Sequence, residues 1–279
     1  MTTTAQQDRT PGVVELVPGR LFLLGDDIAL DGRISWVPAD ARGWQPSNCY
    51  ALVEPGGVVV VDPGPRVLDE VVCAQLQTLL PPGTPLSVFL TRAELDTTGG
   101  LGALARAFPI ARLYAGGGPN PFDSFEAAGD VQLGDRRERI QLERMPAGAV
   151  PVGPGRGLQV LPPSIRLLAT WWGYDEQTQT LFTSDSFTHT CNEVPGGPRV
   201  LDGTMPPQAD PDRLRSHLTA KFAWLRHAKT PALWTDLQEV FRERPVARIA
   251  PGHGLVLEGE DVVQQHVAAV LDVLKDLAA

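Results

Sequence analysis

The feature that most constrains this chain is a set of short apolar runs that each end abruptly in turn-forming or polar residues. Val58–Val61 is apolar on both faces of a strand and stops at residues 62–65, a Pro- and Gly-rich turn that cannot continue a sheet ladder. Ser87–Leu90 and Val246–Ile249 follow the same pattern. A strand that is apolar on both faces is buried on both faces, so these runs predict buried strands that end at a polar edge.

The order of the periodic segments predicts the fold class. Further strands are predicted at 13–17, 21–24, 48–54, 110–115, 165–168 and 181–182. Helical spacing is found at 67–80, 101–108, 214–225, 233–241 and 263–277, whereas residues 116–160 are rich in Gly and charge and favour neither type. Strands first, alternating later with helices, predict an α/β sandwich with its helices outside. No internal repeat or linker divides the chain, so we expect one domain over residues 1–279.

Charge and cysteine usage exclude several classes of partner and compartment. The net charge is −9 and the pI is near 5.0, which argues against a nucleic-acid partner and an anionic membrane surface. The polar first twelve residues hold no secretory signal, and no apolar run approaches the roughly 20 residues of a membrane span. The three cysteines, Cys49, Cys73 and Cys191, lie far apart and are expected to be free thiols. We therefore expect a cytoplasmic, arginine-rich bacterial protein.

Three polar clusters share one placement, since each directly follows a short apolar strand. They occupy residues 91–100, 184–189 and 251–254. Loops at the strand ends of α/β folds commonly carry binding and catalytic residues. The carboxylates of Glu94, Asp96 and Asp185 and the imidazole of His253 suit a divalent or ferric ion, although carboxylates at strand ends also cap helices and turns.

The order and setting of these clusters resemble the metallo-β-lactamase superfamily, and within it the flavodiiron branch and its stand-alone oxygen-binding di-iron relatives. The matching segments are 48–53, 60–62, 181–185 and 249–254. The family's motif Thr-His-x-His-x-Asp-His-x-Gly, with Glu for the second His in the flavodiiron branch, stands here as Thr-Arg-Ala-Glu-Leu-Asp-Thr-Thr-Gly at 91–99. Glu94 and His189 match the flavodiiron choice. The resemblance implies a metallo-β-lactamase-like αββα sandwich, with two mixed β-sheets packed face to face and helices outside.

The chain departs from the family pattern at three metal-binding histidines. Arg92, Thr97 and Thr170 stand where the resemblance places these ligands. Of the two implied metal sites, one keeps only Glu94 and Asp185, and the other keeps its remaining set, Asp96, Asp185 and His253. The resemblance thus implies at most one ion, with iron expected first, zinc or manganese as alternatives, and no metal as a further alternative. We expect Arg92 to pair with Glu94 or Asp185 in the vacated position.

Three functions follow from this resemblance. The first is a mononuclear metal-dependent oxidoreductase or a protein that binds O2 or NO, in which Arg92, Glu94 and His189 are assigned catalytic roles. No flavodoxin-like FMN module is found in the sequence, so a separate electron-donor protein is expected. The second is a metal-free descendant that binds a small molecule or acts through acid–base groups, supported by Arg92. The third is a metal-dependent hydrolase.

Other residues are given structural or accessory roles. His217 and His266 flank apolar helix stripes, and His227 suits a cap at a helix C-terminus. The loop over residues 34–44 precedes a hairpin and is expected to cover the pocket, where its two tryptophans and Arg42 suit an aromatic or anionic organic ligand. A homodimer is also expected, because flavodiiron-like cores often form one.

Overall fold

A computed structural model describes residues 12–117, 120–123 and 139–277 of the chain. Residues 1–11, on which part of the secretory-signal prediction depends, lie outside the described residues. So does the Arg136–Arg137 pair, which we expect at the surface. No helix in the described part is both long and apolar enough to cross a bilayer.

The first sheet contains seven described strands in the order in which they occur along the chain. β1 to β4 are joined as antiparallel neighbours, and β4 to β7 run parallel. The bounds are β1 Val14–Val17, β2 Leu21–Leu30, β3 Gly43–Glu54, β4 Gly57–Val61, β5 Leu86–Phe89, β6 Ile110–Ala115 and β7 Gln141–Arg144.

The second sheet also contains seven described strands, in the spatial order β12-β14-β13-β11-β10-β9-β8. β11 and β13 are its parallel central pair, so their carboxyl ends lie at the same edge. The bounds are β8 Ala149–Gly153, β9 Arg156–Leu161, β10 Trp172–Asp175, β11 Thr180–Ser184, β12 Val200–Leu201, β13 Arg248–Pro251 and β14 Val256–Glu258.

The helices cover the outer faces of the two sheets. α1 and α3 pack on the first sheet, with the short α2 between them in sequence, and α4, α5 and α6 pack on the second. Their bounds are α1 Asp69–Leu79, α2 Leu95–Thr98, α3 Leu101–Ala107, α4 Pro211–Lys221, α5 Pro231–Glu243 and α6 Glu260–Asp276. Short 3-10 turns occupy Arg66–Leu68, Pro121–Asp123 and Ala223–His227.

Three layers of core follow from this arrangement. Val58 and Val60 of β4 pack among the residues under α1 and α3, while Val59 and Val61 of the same strand pack between the two sheets. A third layer lies between the second sheet and its helices, α4 to α6. The two-faced apolar pattern of β4 is therefore explained by burial on both sides, and the αββα sandwich is confirmed.

Two local predictions are wrong. Ile165–Leu168 is not a strand, because Pro162 and Pro163 cannot donate to a ladder and Leu168 is exposed with a φ of 24°. The predicted helix at 214–225 is in fact α4 followed, after Phe222, by a 3-10 turn. β7, β8 and all but the last residue of β9 lie in residues 116–160, the stretch for which the sequence favoured neither strand nor helix.

Candidate functional site

The strand ends bring the predicted polar clusters to one place between the two sheets. Arg92 follows β5, Asp96 lies in α2, Asp185 follows β11, and His253 follows β13. One ligand atom from each of Asp96, Asp185 and His253 lies within 4.8 Å of the other two. The structure therefore assembles the three residues that the resemblance implies as a surviving metal-binding set.

Strained backbone and buried hydrogen bonds fix the position of the Arg92 side chain. Asp62 and Ser184 sit at strand ends in the left-handed region, with φ of 52° and 54°. Asp62 accepts from the Thr91 backbone N–H at 2.7 Å and from its hydroxyl at 2.5 Å. The Ser184 hydroxyl accepts from Arg92 Nη1 at 3.0 Å. These contacts direct the buried guanidinium into the centre of the cluster.

Arg92 Nη2 occupies the middle of the Asp96, Asp185 and His253 triad. It forms an ion pair with Asp96, lies 3.0 Å from Asp185 Oδ1 and lies 3.2 Å from His253 Nε2. Metal ions bind such atoms at about 2.0–2.2 Å, so an ion held by all three would need the space of this nitrogen. The guanidinium is protonated and offers no lone pair to a metal. With Arg92 in this position, the residues present do not fit the ion that the motif resemblance implies.

A second cation, Lys221, lies beside the first. Its Nζ is 2.8 Å from Glu94 Oε2 and 3.1 Å from Asp185 Oδ2, and the side chain is largely buried. Arg92 Nε also lies 3.8 Å from Glu94 Oε1. Sequence reasoning missed Lys221, although lysine is rare in this chain and that rarity is the one available signal. Two cations thus face three carboxylates in what we call the charged centre: Arg92, Glu94, Asp96, Asp185, Lys221 and His253.

Electrostatics in the charged centre favour the ionised forms of Asp96 and Arg92. Burial alone would raise the pKa of Asp96, but the charge of Arg92 and the hydrogen bond with His253 hold it well below its usual range. Burial disfavours charge on Arg92 as well, yet the neighbouring carboxylates, Asp185 foremost, raise its pKa. Asp62, behind Thr91, is different: burial raises its pKa from 3.8 to about 7, against the opposing charge of Arg92.

His189 and the two threonines take other partners. His189 Nε2 lies 2.8 Å from His266 Nδ1, and within the described residues this is its side-chain hydrogen bond. Burial, and next the neighbouring His266, hold the pKa of His189 well below its ordinary value. Thr170 Oγ1 donates to the carbonyl oxygen of Leu167, and Thr97 is buried in α2. His189 therefore belongs to a buried histidine pair and not to the charged centre.

The loop before β3 covers this region, as expected. Trp36 stacks on the His253 ring, with centroids 4.1 Å apart and planes 7° apart, and its Nε1 donates to Gln45 Oε1 at 3.0 Å. Further along, Pro38 and Arg42 line a cavity of about 690 Å³ together with residues of α4. His217 of α4 lines the cavity, and Lys221, four residues later on the same helix face, reaches the charged centre.

Comparison with known proteins identifies the fold. A scan against models of protein families and a search of curated proteins find no match. Solved structures do match. Rubredoxin oxygen:oxidoreductase of Desulfovibrio gigas is 15% identical over 94% of this chain, with a TM-score of 0.66, and the flavodiiron protein of Giardia intestinalis is 16% identical over 97%, with a TM-score of 0.66. A flavodiiron core of Synechocystis sp. PCC6803 is 17% identical over 94% of this chain, with a TM-score of 0.67. This chain spans 60–61% of those chains. It has the metallo-β-lactamase-like fold of their cores, as the motif resemblance predicted.

Proposed function

We propose that this protein is a metal-independent small-molecule binding protein, in which Arg92 and Lys221 take the places that metal ions hold in proteins of related fold. The position of Arg92 Nη2 supports the proposal most directly, because it contacts all three residues of the triad. Lys221 adds a second fixed positive charge against Glu94 and Asp185. Two of the three negative charges on the carboxylates are thereby balanced without a metal ion.

The energetic cost of adding an ion supports the same conclusion. A dication about 4 Å from a unit positive charge is repelled by roughly 8 kcal/mol at an effective dielectric near 20. Screening and rotation of the side chain reduce this value, yet a third of it still lowers affinity about a hundredfold. Arg92 also donates from Nη1 to the Ser184 hydroxyl, so withdrawing the guanidinium from the triad breaks a buried hydrogen bond as well.

The cavity beside the charged centre is the site we assign to the ligand. Its wall combines apolar side chains with two arginines, two acidic residues and several neutral polar groups: Leu30, Pro38, Asp40, Arg42, Glu193, Met205, Gln208, Arg213 and Ser216. Arg42 is exposed and hydrogen-bonded to its own loop through Ala39 and Ala41. A wall that combines apolar side chains with guanidinium groups suits an organic anion with an aromatic or aliphatic body.

A mononuclear metal protein is the second candidate, and the compact geometry of Asp96, Asp185 and His253 favours it. It requires Arg92 to leave the triad. The Desulfovibrio gigas neighbour is an oxygen:oxidoreductase, so an ion bound here would suggest O2 or NO as the ligand, with electrons from a separate protein. Hydrolysis would need a metal-bound water and depends on the same requirement.

Metal analysis separates the two candidates. The natural chain, incubated with Fe²⁺, Mn²⁺ or Zn²⁺ and desalted, is expected to retain fewer than about 0.1 ions per chain. Arg92→Ala opens the triad and is expected to retain about one. Arg156→Ala is the matched control, since Arg156 is equally buried and also paired with carboxylates. A natural chain that retains one ion overturns the proposal in favour of the mononuclear metal protein.

Ligand binding is tested with benzoate and its neutral amide, benzamide. Benzoate is expected to raise the melting temperature of the natural chain, and benzamide is expected to raise it less, because only the carboxylate pairs with a guanidinium. Arg42→Ala should lose the difference between the two compounds. If neither compound shifts the melting temperature at millimolar concentration, the ligand class is wrong, whatever the metal analysis shows.

A further inference from the structure

A second chemical cluster lies in the same cavity and takes no part in the charged centre. Cys191 is half-buried, and its Sγ lies 2.7 Å from Nη2 of Arg213. Its backbone N–H donates to Gln208 Oε1 at 3.0 Å, which fixes the residue against the cavity wall. A guanidinium N–H donated to sulfur is strongest when the sulfur is ionised, and the ionised thiol is the nucleophile.

Arg213 has little else to neutralise it. It lies in the first turn of α4, where its backbone N–H donates to the capping carboxylate of Asp210 at 2.8 Å. Its guanidinium forms no ion pair with a carboxylate among residues 12–117, 120–123 and 139–277. The positive charge is therefore directed at the Cys191 sulfur.

His217, one turn further along α4, indicates that this cavity binds a small molecule. It is 94% buried, and its Nδ1 has no hydrogen-bond partner within the part of the chain that the structure describes. Burial, and next the charge of Arg213, lower its pKa to about 4, so the ring is neutral near pH 7. A neutral imidazole nitrogen without a partner in a polar cavity is available to a small hydrogen-bonding molecule.

The other two cysteines lack this environment. Cys49 is fully buried, and burial raises the pKa of its thiol well above the ordinary value. Burial, and next the carboxylate of Asp69, raise the pKa of the Cys73 thiol to about 11. Both thiols are therefore protonated and unreactive near neutral pH, which makes them internal references for Cys191.

We propose that Cys191 is a hydroperoxide-reactive thiol and that Arg213 is the residue that positions and activates it. The ionised sulfur attacks one oxygen of hydrogen peroxide, so an S–O bond forms as the O–O bond breaks. The sulfur loses two electrons and becomes a sulfenic acid, while the departing oxygen leaves as hydroxide and takes a proton from solvent to become water. The inference uses the cavity but not the organic ligand that we assign to it.

The test is site-resolved trapping of the sulfenic acid in the full chain. Protein treated with hydrogen peroxide in the presence of dimedone is digested, and the adduct at each cysteine is followed by mass spectrometry. Cys191 is expected to gain the adduct at least about tenfold faster than Cys73 or Cys49. Arg213→Gln should slow adduct formation at Cys191 about tenfold, because it removes the positive charge beside the sulfur. Arg213→Lys should restore part of the rate, because it keeps that charge.

The matched control is Arg215→Gln on the same helix, because Arg215 pairs with Asp276 at the surface and lies away from the thiol. It should leave the rate at Cys191 unchanged, and circular dichroism should show all variants folded. Equal labelling of Cys191 and Cys73, or an unaltered rate in folded Arg213→Gln, overturns the inference. Neither result bears on metal content, so failure here is distinct from failure of the proposed function.

Discussion

Two buried arginines in this protein, Arg156 and Arg92, differ in how completely the polar atoms around them are hydrogen-bonded. Arg156 of β9 links the two sheets: its Nε and Nη2 donate to both oxygens of Asp175 at 3.1 and 2.6 Å, and its Nη1 donates to Glu54 Oε1 and to the carbonyls of Arg20 and Val53. Thr178 donates a further hydrogen bond to Asp175 at 2.5 Å. Each guanidinium nitrogen is paired, as expected of a site built for stability.

Arg92 of the charged centre is paired incompletely. Its Nε, Asp185 Oδ1 and His253 Nδ1 have no hydrogen-bond partner within the described residues, although Asp185 Oδ1 is close enough to Arg92 for an ion pair. Buried polar atoms left without partners cost free energy. The two clusters are alike in charge and burial but differ in how completely their polar atoms are paired, and the incompletely paired one lies where the motif resemblance places metal ligands.

The largest loss of stability is expected from removing Arg156, the cation of the fully paired cluster. Arg156→Ala leaves Asp175 buried without its partner, so the free energy of unfolding should fall by about 4 kcal/mol. Urea unfolding measures it, and added Zn²⁺ should not restore it. A loss below about 1 kcal/mol would show that the inter-sheet cluster contributes little to stability.

Arg92→Ala should cost somewhat less, about 3 kcal/mol, because Lys221 remains beside the carboxylates. This loss should be partly reversed by Zn²⁺ or Mn²⁺, since the emptied triad can bind an ion and ligand binding stabilises the folded state. Urea unfolding with and without the ion gives both quantities. If the ion rescues Arg156→Ala equally, the two arginines do not differ as proposed.

The free energy of unfolding should depend on pH through Asp62, the buried carboxyl behind Thr91. Its carboxyl keeps its proton in the folded state up to about pH 7 and releases it near pH 4 when unfolded, so the folded state binds more protons in between. Its contribution to stability is therefore complete below pH 4 and is lost as the pH rises towards 7.

Asp62→Asn removes this titration. Subtracting the unfolding free energy of the variant from that of the natural chain cancels the opposing effect of the buried histidines, whose pKa values are lowered. The difference should fall by about 2 kcal/mol or more between pH 4 and 7.5. A flat difference would mean that Asp62 is ionised throughout.

The smallest effect is expected at Lys221, whose partner Glu94 is a third exposed. Lys221→Met should lower the free energy of unfolding by about 1 kcal/mol, most of it from the buried contact with Asp185. Lys229→Met, at an exposed lysine, is the control and should change nothing measurable. If the two variants have the same free energy of unfolding, Lys221 does not contribute to the charge balance of the charged centre.

The sequence determined those features that depend on near neighbours. Four valines apolar on both faces specify a buried strand wherever the chain places it, and a Pro-Gly turn ends it. The motif at 91–99 likewise carried Arg92, Glu94 and Asp96 at fixed spacing, so the pairing of Arg92 with carboxylates could be expected. Local periodicity and backbone geometry act within a few residues, and a sequence displays them directly.

Only the tertiary structure decided how the site is filled. Lys221 meets Glu94 across 127 residues, His189 meets His266 across 77, and Cys191 meets Arg213 across 22. No pattern in the chain marks such pairs, because they depend on the angle at which helices pack on the second sheet. The placement of Arg92 Nη2 inside the triad also required β5 of the first sheet and β11 and β13 of the second to end on the same side of the sandwich, which is a property of the packed sheets and not of any segment.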